Sequence, residues 1–249
     1  MFTATNCFSQ TDDNSTEHYG VPFKLVDFPT AATLPRASFN VEIEAFSNGG
    51  MLGMINIGLH NRFTIGISYG GMAVLGDDKA EWFDRPEFLV KFMIIDENLS
   101  FPAIALGFES QGTGFFDKDL DRYRFKAPGF YLVASKGYRT YSWESGLHVG
   151  ININTLEDDR DNDDDISFFG GFDITFNNSI SITGEYQAAL NDNKKDTTYG
   201  RGRGYLNFGF HWNFFDRLSL GAVMKDLLNN TRGTNSFTRE LRIIYSENF

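Results

Sequence analysis

The chain ends on Leu241-Arg-Ile-Ile-Tyr-Ser-Glu-Asn-Phe249, a stretch in which apolar and polar residues alternate. The apolar residues and the closing aromatic share one parity: Leu241, Ile243, Tyr245 and Phe249. A β-strand directs alternate side chains to opposite faces. The stretch therefore predicts a final strand with one apolar face and one polar face.

A last strand that closes on an aromatic, here Phe249, resembles the C-terminal signal that outer-membrane β-barrels present to their assembly machinery. In that interpretation the apolar face contacts lipid and the polar face lines a lumen. The resemblance implies localisation in the outer membrane. It also implies two partners, the outer-membrane lipid and the barrel-assembly machinery.

The composition is compatible with a membrane-spanning barrel. The 249 residues are 41% hydrophobic and contain no run of about 18 apolar residues, which excludes a transmembrane helix. Barrel strands give a weaker signal per segment. The chain has 26 Phe, 25 Gly and only 6 Pro, which favours strands with bulky outward side chains. A soluble β-sandwich is the alternative class.

Charge and cysteine content exclude other classes. The net charge of −11 argues against a nucleic-acid partner, because phosphate binding needs a basic surface. The single cysteine, Cys7, excludes an internal disulfide framework. Residues 1–10 have neither the basic region nor the apolar core of a secretory signal peptide, so an intact signal is not expected there.

From Arg36 onward, alternating segments are separated by turn residues, and we predict twelve strands. The segments are 36–46, 52–60, 63–70, 85–96, 99–109, 128–137, 140–152, 165–176, 179–190, 201–212, 217–227 and 236–249. Residues 1–35 are polar and predict an N-terminal tail or small plug, and residues 36–249 predict the barrel. The inward and outward faces of segment 128–137 cannot be assigned from its pattern.

The connections between segments alternate between short and long along the chain. Short links such as Asn61-Arg62 and Asn177-Asn178 alternate with long or charged ones such as 71–84 and 110–127. Outer-membrane barrels have short periplasmic turns and longer external loops. The sequence therefore predicts an all-β chain, a single antiparallel transmembrane β-barrel of about 12 strands with both termini at the periplasmic rim.

The phases of the segments direct ten ionisable side chains into the lumen. The lumen-lining candidates are Glu42, Glu44, Glu87, Lys91, Glu144, His148, Asp173, Glu185, Lys225 and Arg242. Because the last strand must pair with the first, Arg242 is expected to face Glu42 or Glu44. Buried charges need partners or water. An internal salt-bridge network is one interpretation, and a selectivity lining that favours cations or neutral sugars is the other.

The middle of the chain contains Pro102-Ala-Ile-Ala-Leu-Gly-Phe108, Gln111-Gly-Thr-Gly114 and Gly129-Phe-Tyr-Leu-Val-Ala-Ser-Lys136. These segments resemble the YjbH-like family of outer-membrane barrels, which is associated with exopolysaccharide production. Phe28-Pro-Thr-Ala31 and Val90-Lys-Phe-Met-Ile-Ile-Asp-Glu97 share the likeness. The resemblance implies polysaccharide-secretion proteins as partners and no catalytic residues. The chain is much shorter than full-length members.

No catalytic or metal site is predicted. Residues 157–165 are acidic but lack the glycine-containing spacing of a calcium loop. A barrel hydrolase needs a Ser/His or Asp/His pair near the external rim. Of the four histidines only His148 falls in the outer half, and Gly150 rather than a serine follows it on the same face. We therefore expect no catalytic residue, metal or cofactor.

The sequence favours a structural or envelope-assembly barrel, and the resemblance to the YjbH-like family implies a part in an exopolysaccharide secretion system. The alternative is a narrow channel for a small polar solute, a sugar or a cation. An outer-membrane hydrolase is the lesser alternative.

Overall fold

The computed structural model describes residues 21–155, 157, 165–193, 200–214, 217–232 and 236–249. Within these ranges no helix is long and apolar enough to span a membrane. The described strands are β1 (Ser38–Phe46), β2 (Gly50–His60), β3 (Phe63–Met72), β4 (Glu81–Trp82), β5 (Glu87–Ile95), β6 (Ala103–Glu109), β7 (Thr113–Asp117), β8 (Arg122–Phe125), β9 (Gly129–Arg139), β10 (Trp143–Ile153), β11 (Ser167–Phe176), β12 (Ile180–Gln187), β13 (Tyr205–Phe214), β14 (Leu218–Lys225) and β15 (Thr238–Asn248). A single short 3-10 turn is described, Leu190–Asp192.

Twelve of these strands form a closed antiparallel barrel. Each barrel strand pairs with its neighbours along the chain, and β15 closes the ring by pairing with β1. The two-residue strand β4 extends the sheet beside β3, and β7 and β8 form a separate hairpin between β6 and β9. Among the described residues, each of the twelve barrel strands is paired on both sides, so the barrel has no open edge, as a bilayer requires. The prediction of a twelve-stranded antiparallel barrel is confirmed.

Each predicted segment overlaps one barrel strand, but one turn is longer than expected. Segments 85–96 and 99–109 predict a two-residue link, whereas β5 ends at Ile95 and β6 begins at Ala103. The Asn98 side chain accepts hydrogen bonds from the backbone N–H groups of Ser100 and Phe101, which closes a local turn. Pro102 has no N–H to donate to the ladder, so the strand starts after it.

The outer face of the barrel is apolar. Leu147, Val149 and Ile151 of β10 are exposed, whereas His148 and Gly150 between them are buried. Exposed aromatic residues lie toward both ends of the strands: Trp143, Trp212 and Phe249 at one end and Tyr69, Trp82 and Phe168 at the other. An apolar band between two aromatic girdles is the surface of an outer-membrane barrel. The protein is an outer-membrane β-barrel.

The structure assigns the faces of β9, which its sequence pattern leaves open. Tyr131, Val133 and Ser135 are buried in the interior, and Phe130 and Leu132 are exposed on the lipid side. Both faces carry apolar residues because part of the interior is itself an apolar cluster. Alternation of hydrophobicity therefore gives no contrast along this strand.

Candidate functional site

A loop of the N-terminal segment, residues 22–30, occupies the lumen, and we call it the inner loop. Its two arms meet, because Thr30 donates a backbone hydrogen bond to Phe23 O at 3.4 Å and its hydroxyl bonds to Pro22 O. Leu25, Val26 and Phe28 are almost fully buried against the wall. Residues 31–36 then lead to β1. The interior of this barrel therefore contains a piece of its own chain.

Glu185 on β12 binds the tip of the inner loop. Its Oε2 accepts three backbone N–H groups, from Val26 at 3.0 Å, Asp27 at 2.9 Å and Phe28 at 2.8 Å. Its Oε1 accepts a hydrogen bond from Asn207 Nδ2 at 2.9 Å. Several donors around one oxygen compensate for the loss of water around a buried carboxylate. The contact fixes the backbone of the inner loop rather than its side chains.

Arg242 joins the seam of the barrel to the inner loop. It lies opposite Glu44 in the β1–β15 register, with Nε 3.1 Å from Glu44 Oε1. Its two terminal nitrogens lie 3.0 Å from Glu240 Oε2 and 2.6 Å from Val26 O. Asp27 Oδ1 lies 3.3 Å from the guanidinium. The planar guanidinium thus connects two wall strands and the loop in one buried cluster.

Lys225 on β14 extends this cluster toward the external side. Its ammonium lies 2.6 Å from Asp27 Oδ2 and 3.3 Å from Glu240 Oε1. It also donates to the Thr113 hydroxyl and lies 4.4 Å from the centre of the Phe125 ring. Thr113 and Phe125 belong to the β7–β8 hairpin. Lys225 therefore contacts both the inner loop and the segment that covers it.

Two further lysines, Lys24 of the loop and Lys91 of the wall, make contacts near the two ends of the inner loop. The Lys24 ammonium lies 3.3 Å from both Glu42 Oε2 and Glu44 Oε1. On β5, Lys91 donates to Phe23 O at 2.7 Å and to Ala32 O at 3.1 Å. One lysine comes from the loop and one from the wall, so ammonium groups on both sides of the contact bind acceptors on the other side.

Ser135, His148 and Asp173 form a hydrogen-bonded chain across three neighbouring strands. His148 Nδ1 lies 2.7 Å from Ser135 Oγ, and Nε2 lies 2.8 Å from Asp173 Oδ1. The backbone N–H of Ala31 donates to Ser135 Oγ at 2.8 Å. The hydroxyl is then free to donate to Nδ1, and a neutral imidazole that accepts this bond has its ring proton on Nε2, toward Asp173.

Serine, histidine and an acid are the residue types of a serine hydrolase triad, but the ring nitrogens are exchanged here, with Nδ1 rather than Nε2 facing the serine. Ser135 and His148 are, however, buried beneath the inner loop, and the Ser135 hydroxyl oxygen is already an acceptor for Ala31. A serine so placed has no room for an external carbonyl carbon. In this conformation the chain of hydrogen bonds anchors residue 31 to the wall.

Replacing His148 by alanine is expected to lower the free energy of unfolding by about 1–3 kcal/mol, because Asp173 and Ser135 lose a buried partner. His60→Ala is the control, since His60 is exposed at the end of β2 and is expected to stay within about 0.5 kcal/mol of the parent. Chemical denaturation in detergent micelles measures both. Equal stabilities of the two variants would contradict an anchoring role for His148.

The ten lumen-lining candidates divide into three groups. Those in the cluster around the inner loop are Glu42, Glu44, Lys91, Glu185, Lys225 and Arg242. Two others, His148 and Asp173, form the neighbouring hydrogen-bonded chain. The remaining two lie toward opposite ends of the barrel, where Glu87 pairs with Arg85 and Glu144 with Arg139.

Sequence reasoning missed several members of the cluster. Glu240 and Glu109 are buried, and Glu240 shares the parity of Arg242 two positions away, so its inward position was readable from the pattern. Lys24 and Asp27 carry no such signal, because the inner loop has no strand periodicity. Ser135 was missed because the faces of its strand were not assigned.

The β7–β8 hairpin, Thr113 to Phe125, covers the external side, and we call it the external hairpin. Arg122 is buried, and its guanidinium lies 3.0 Å from Asp192 Oδ1. The other carboxylate oxygen, Asp192 Oδ2, accepts a hydrogen bond from the Tyr205 hydroxyl at 2.5 Å. Burial lowers the pKa of Arg122, but the Asp192 carboxylate outweighs it and holds that pKa above its usual value. The ion pair fixes the hairpin to the 3-10 turn after β12.

Aromatic packing also holds the external hairpin. The Tyr123 ring lies 5.3 Å from that of Phe83 and 4.9 Å from that of Phe116, both edge-on. Phe125 packs in the same way on Tyr205 at 5.3 Å. The Tyr123 backbone N–H donates to Glu157 Oε1 at 3.1 Å. Most of the acidic run 157–165 lies outside the described residues.

Two of the best-formed cavities among the described residues have a volume of about 10 Å³ each. That is room for one water molecule. One lies beneath the external hairpin, and the other lies beside Lys24 and Glu109. Within the described ranges no group of three His, Cys, Asp or Glu side chains is placed to hold a metal ion. Within the described ranges, the inner loop and the external hairpin both occupy the lumen.

No family model and no curated protein matches the chain. Among solved structures, a KdgM porin is similar at 12% identity and a TM-score of 0.45, covering 85% of this chain and 99% of that one. A NanC porin is similar at 11% identity and a TM-score of 0.45, with the same coverage. An outer membrane channel from Pseudomonas putida F1 has 13% identity and a TM-score of 0.46, covering 87% and 98%.

These findings correct the family expectation. The similar structures are porins and outer-membrane channels, so the YjbH-like, exopolysaccharide-associated assignment is wrong. The stretch Pro102-Ala-Ile-Ala-Leu-Gly-Phe108 leads into and forms part of β6, and Gly129-Phe-Tyr-Leu-Val-Ala-Ser-Lys136 forms most of β9. Alternation of lipid-facing and lumen-facing residues is a general feature of transmembrane barrel strands. Such a pattern recurs in unrelated barrels.

Proposed function

We propose that this barrel is a narrow channel for a small polar solute, closed in the present conformation by the inner loop and the external hairpin. The proposal rests on which parts of the chain occupy the lumen and on how they contact the wall. The lumen is filled by segments that are not part of the wall, and the wall meets the inner loop mainly through charged and polar groups. A structural barrel needs no such separable filling.

The contacts of the inner loop are of a kind that water can replace. Glu185, Lys91 and Arg242 bind its backbone, and all three would be solvated in an open lumen. The largest apolar anchor of the loop is Phe28, whose ring lies 4.6 Å from that of Phe169. Withdrawal of the loop exposes the apolar side chains of Leu25, Val26 and Phe28 and returns a larger number of polar groups to water.

The open lumen would be acidic. Seven buried acids point inward from the barrel strands against three buried bases: Glu42, Glu44, Glu87, Glu109, Asp173, Glu185 and Glu240 against Lys91, Lys225 and Arg242. Rings of carboxylates favour cations over anions in a pore. The solute is therefore a cation or a neutral polar molecule.

A reversible lock on the inner loop tests the proposal. We combine Ala31→Cys with Ser135→Cys in a Cys7→Ser background, because the Ala31 nitrogen lies only 2.8 Å from Ser135 Oγ. In planar bilayers the parent is expected to show rare, cation-selective openings. The oxidised double variant is expected to be silent, and reduction of the disulfide is expected to restore the openings.

The matched control is each single cysteine variant, which retains the substitution but forms no lock. Openings of equal frequency in the oxidised and reduced double variant would show that the inner loop does not close a pore. Silence of the folded parent and of every variant would favour the structural role instead.

A further inference from the structure

The Lys24 ammonium occupies a site built by the wall of the lumen. It lies 3.3 Å from Glu42 Oε2, 3.3 Å from Glu44 Oε1 and 3.7 Å from Met54 Sδ. Glu42 and Glu44 come from β1, and Met54 faces them from β2. Lys24 belongs to the inner loop, whereas these three contacting side chains belong to the barrel wall. The wall therefore forms the site, and Lys24 occupies it.

The site has binding capacity that Lys24 does not use. Glu44 Oε2 is buried and has no hydrogen-bond partner among the described residues. The small cavity beside Lys24 is lined by further polar side chains, those of Asn56, Ser68, Glu109 and Gln111. A buried carboxylate oxygen without a donor is unfavourable by about 1–3 kcal/mol, so the site favours a ligand with more than one N–H.

The chemistry of the site selects an alkylammonium group. Two carboxylates attract a compact cation, and the Met54 thioether sulfur accepts a weak hydrogen bond from its N–H. The amides and hydroxyl around the cavity supply further acceptors. A quaternary ammonium has no N–H to donate, and a hydrated metal ion gains nothing from a thioether.

We propose that the Lys24 site is the solute-binding site of the lumen and that its ligand is a small primary amine in its ammonium form. Lys24 is a tethered copy of that ligand, which occupies the site while the inner loop is in place. The inference rests on the proposed channel function for its role in transport, but the binding itself does not require conduction.

Chemical rescue of Lys24→Ala tests the binding. The variant leaves Glu42 and Glu44 without their cation and is expected to unfold at a lower temperature than the parent. n-Butylammonium chloride, which reproduces the lysine side chain, is expected to raise the midpoint by roughly 3–6 °C at ten times its dissociation constant. Tetramethylammonium chloride at equal ionic strength and n-butanol are expected to leave it unchanged.

The triple variant Lys24→Ala, Glu42→Gln, Glu44→Gln is the matched control and is expected to lose the rescue. Rescue by tetramethylammonium to the same extent, or rescue that survives in the triple variant, would overturn the proposal. Should Lys24→Ala fail to fold on its own, it is refolded in the presence of 100 mM n-butylammonium or 100 mM tetramethylammonium, and equal failure to fold in both would overturn the proposal as well.

Conductance separates this inference from the proposed function. Rescue without current in any variant would leave the amine site in place and refute the channel. Current through the unlocked barrel without rescue would leave the channel in place and refute the amine site. With both correct, millimolar n-butylammonium is expected to block sodium current through Lys24→Ala but not through the triple variant.

Discussion

Replacing Arg242 by alanine is expected to lower the free energy of unfolding by about 3–5 kcal/mol. The guanidinium is buried and lies between Glu44, Glu240 and Asp27, so its removal leaves three carboxylates close together without it. Buried like charges that lose their common partner destabilise a protein more than the pair had stabilised it. The same change releases Val26 O at the tip of the inner loop.

Equilibrium unfolding by urea or guanidinium chloride in detergent micelles measures this effect. Arg217→Ala is the control, because Arg217 pairs with Glu247 at the rim with most of its side chain exposed. We expect that change to be within about 1 kcal/mol of the parent. Adding Glu44→Gln to the Arg242 variant should recover part of the loss, since one unpaired charge disappears.

A loss below 1 kcal/mol for Arg242→Ala, comparable to that for Arg217→Ala, would contradict the buried cluster. It would show that water enters the lumen freely and solvates the acids. The difference in free energy of unfolding between Arg242→Ala and Arg217→Ala is decisive, because both arginines pair with glutamate and differ in their exposure to solvent.

Replacing Phe28 by alanine is expected to raise the fraction of time that the lumen is open by about 100-fold. Phe28 packs in an interior cluster with Phe169 and Val133, and loss of a buried Phe costs about 3–5 kcal/mol. The ring belongs to the inner loop rather than to the wall, so the penalty falls on docking of the loop. About 3 kcal/mol corresponds to two factors of ten in an equilibrium constant.

Single-channel recording of the whole chain measures the open fraction. Phe168→Ala is the control, because Phe168 is adjacent to Phe169 on β11 but points to the lipid side. That variant is expected to gate like the parent. Unchanged gating in both variants, with the Phe28 variant as stable as the parent, would show that the inner loop is not what limits opening.

The periodicity of the sequence was sufficient to predict the strands that form the wall of the barrel. The alternation in segments such as 140–152 and 241–249 fixed which side chains face lipid, because a strand repeats every two residues whatever its neighbours are. It also placed Arg242 opposite the acids of the first strand, a contact that follows from closing an even-stranded ring. Strand ends were less accurate where a turn depends on local side-chain contacts, as at Asn98.

The contents of the lumen were not readable in the same way. Residues 22–30 have no period, and their position depends on partners more than 150 residues away, such as Glu185 and Arg242. The chain from Ser135 through His148 to Asp173 needs three strands in one register, and one of them shows apolar residues on both faces. No local pattern contains that information.

The sequence by itself determined that this protein is a twelve-stranded barrel with an apolar outside and a charged inside, because that division repeats along the barrel strands other than β9. Only the tertiary structure decided that the inside is filled, and by which segments. A loop enters a lumen when its backbone and charges find partners there, and those partners are assembled only when the barrel has closed.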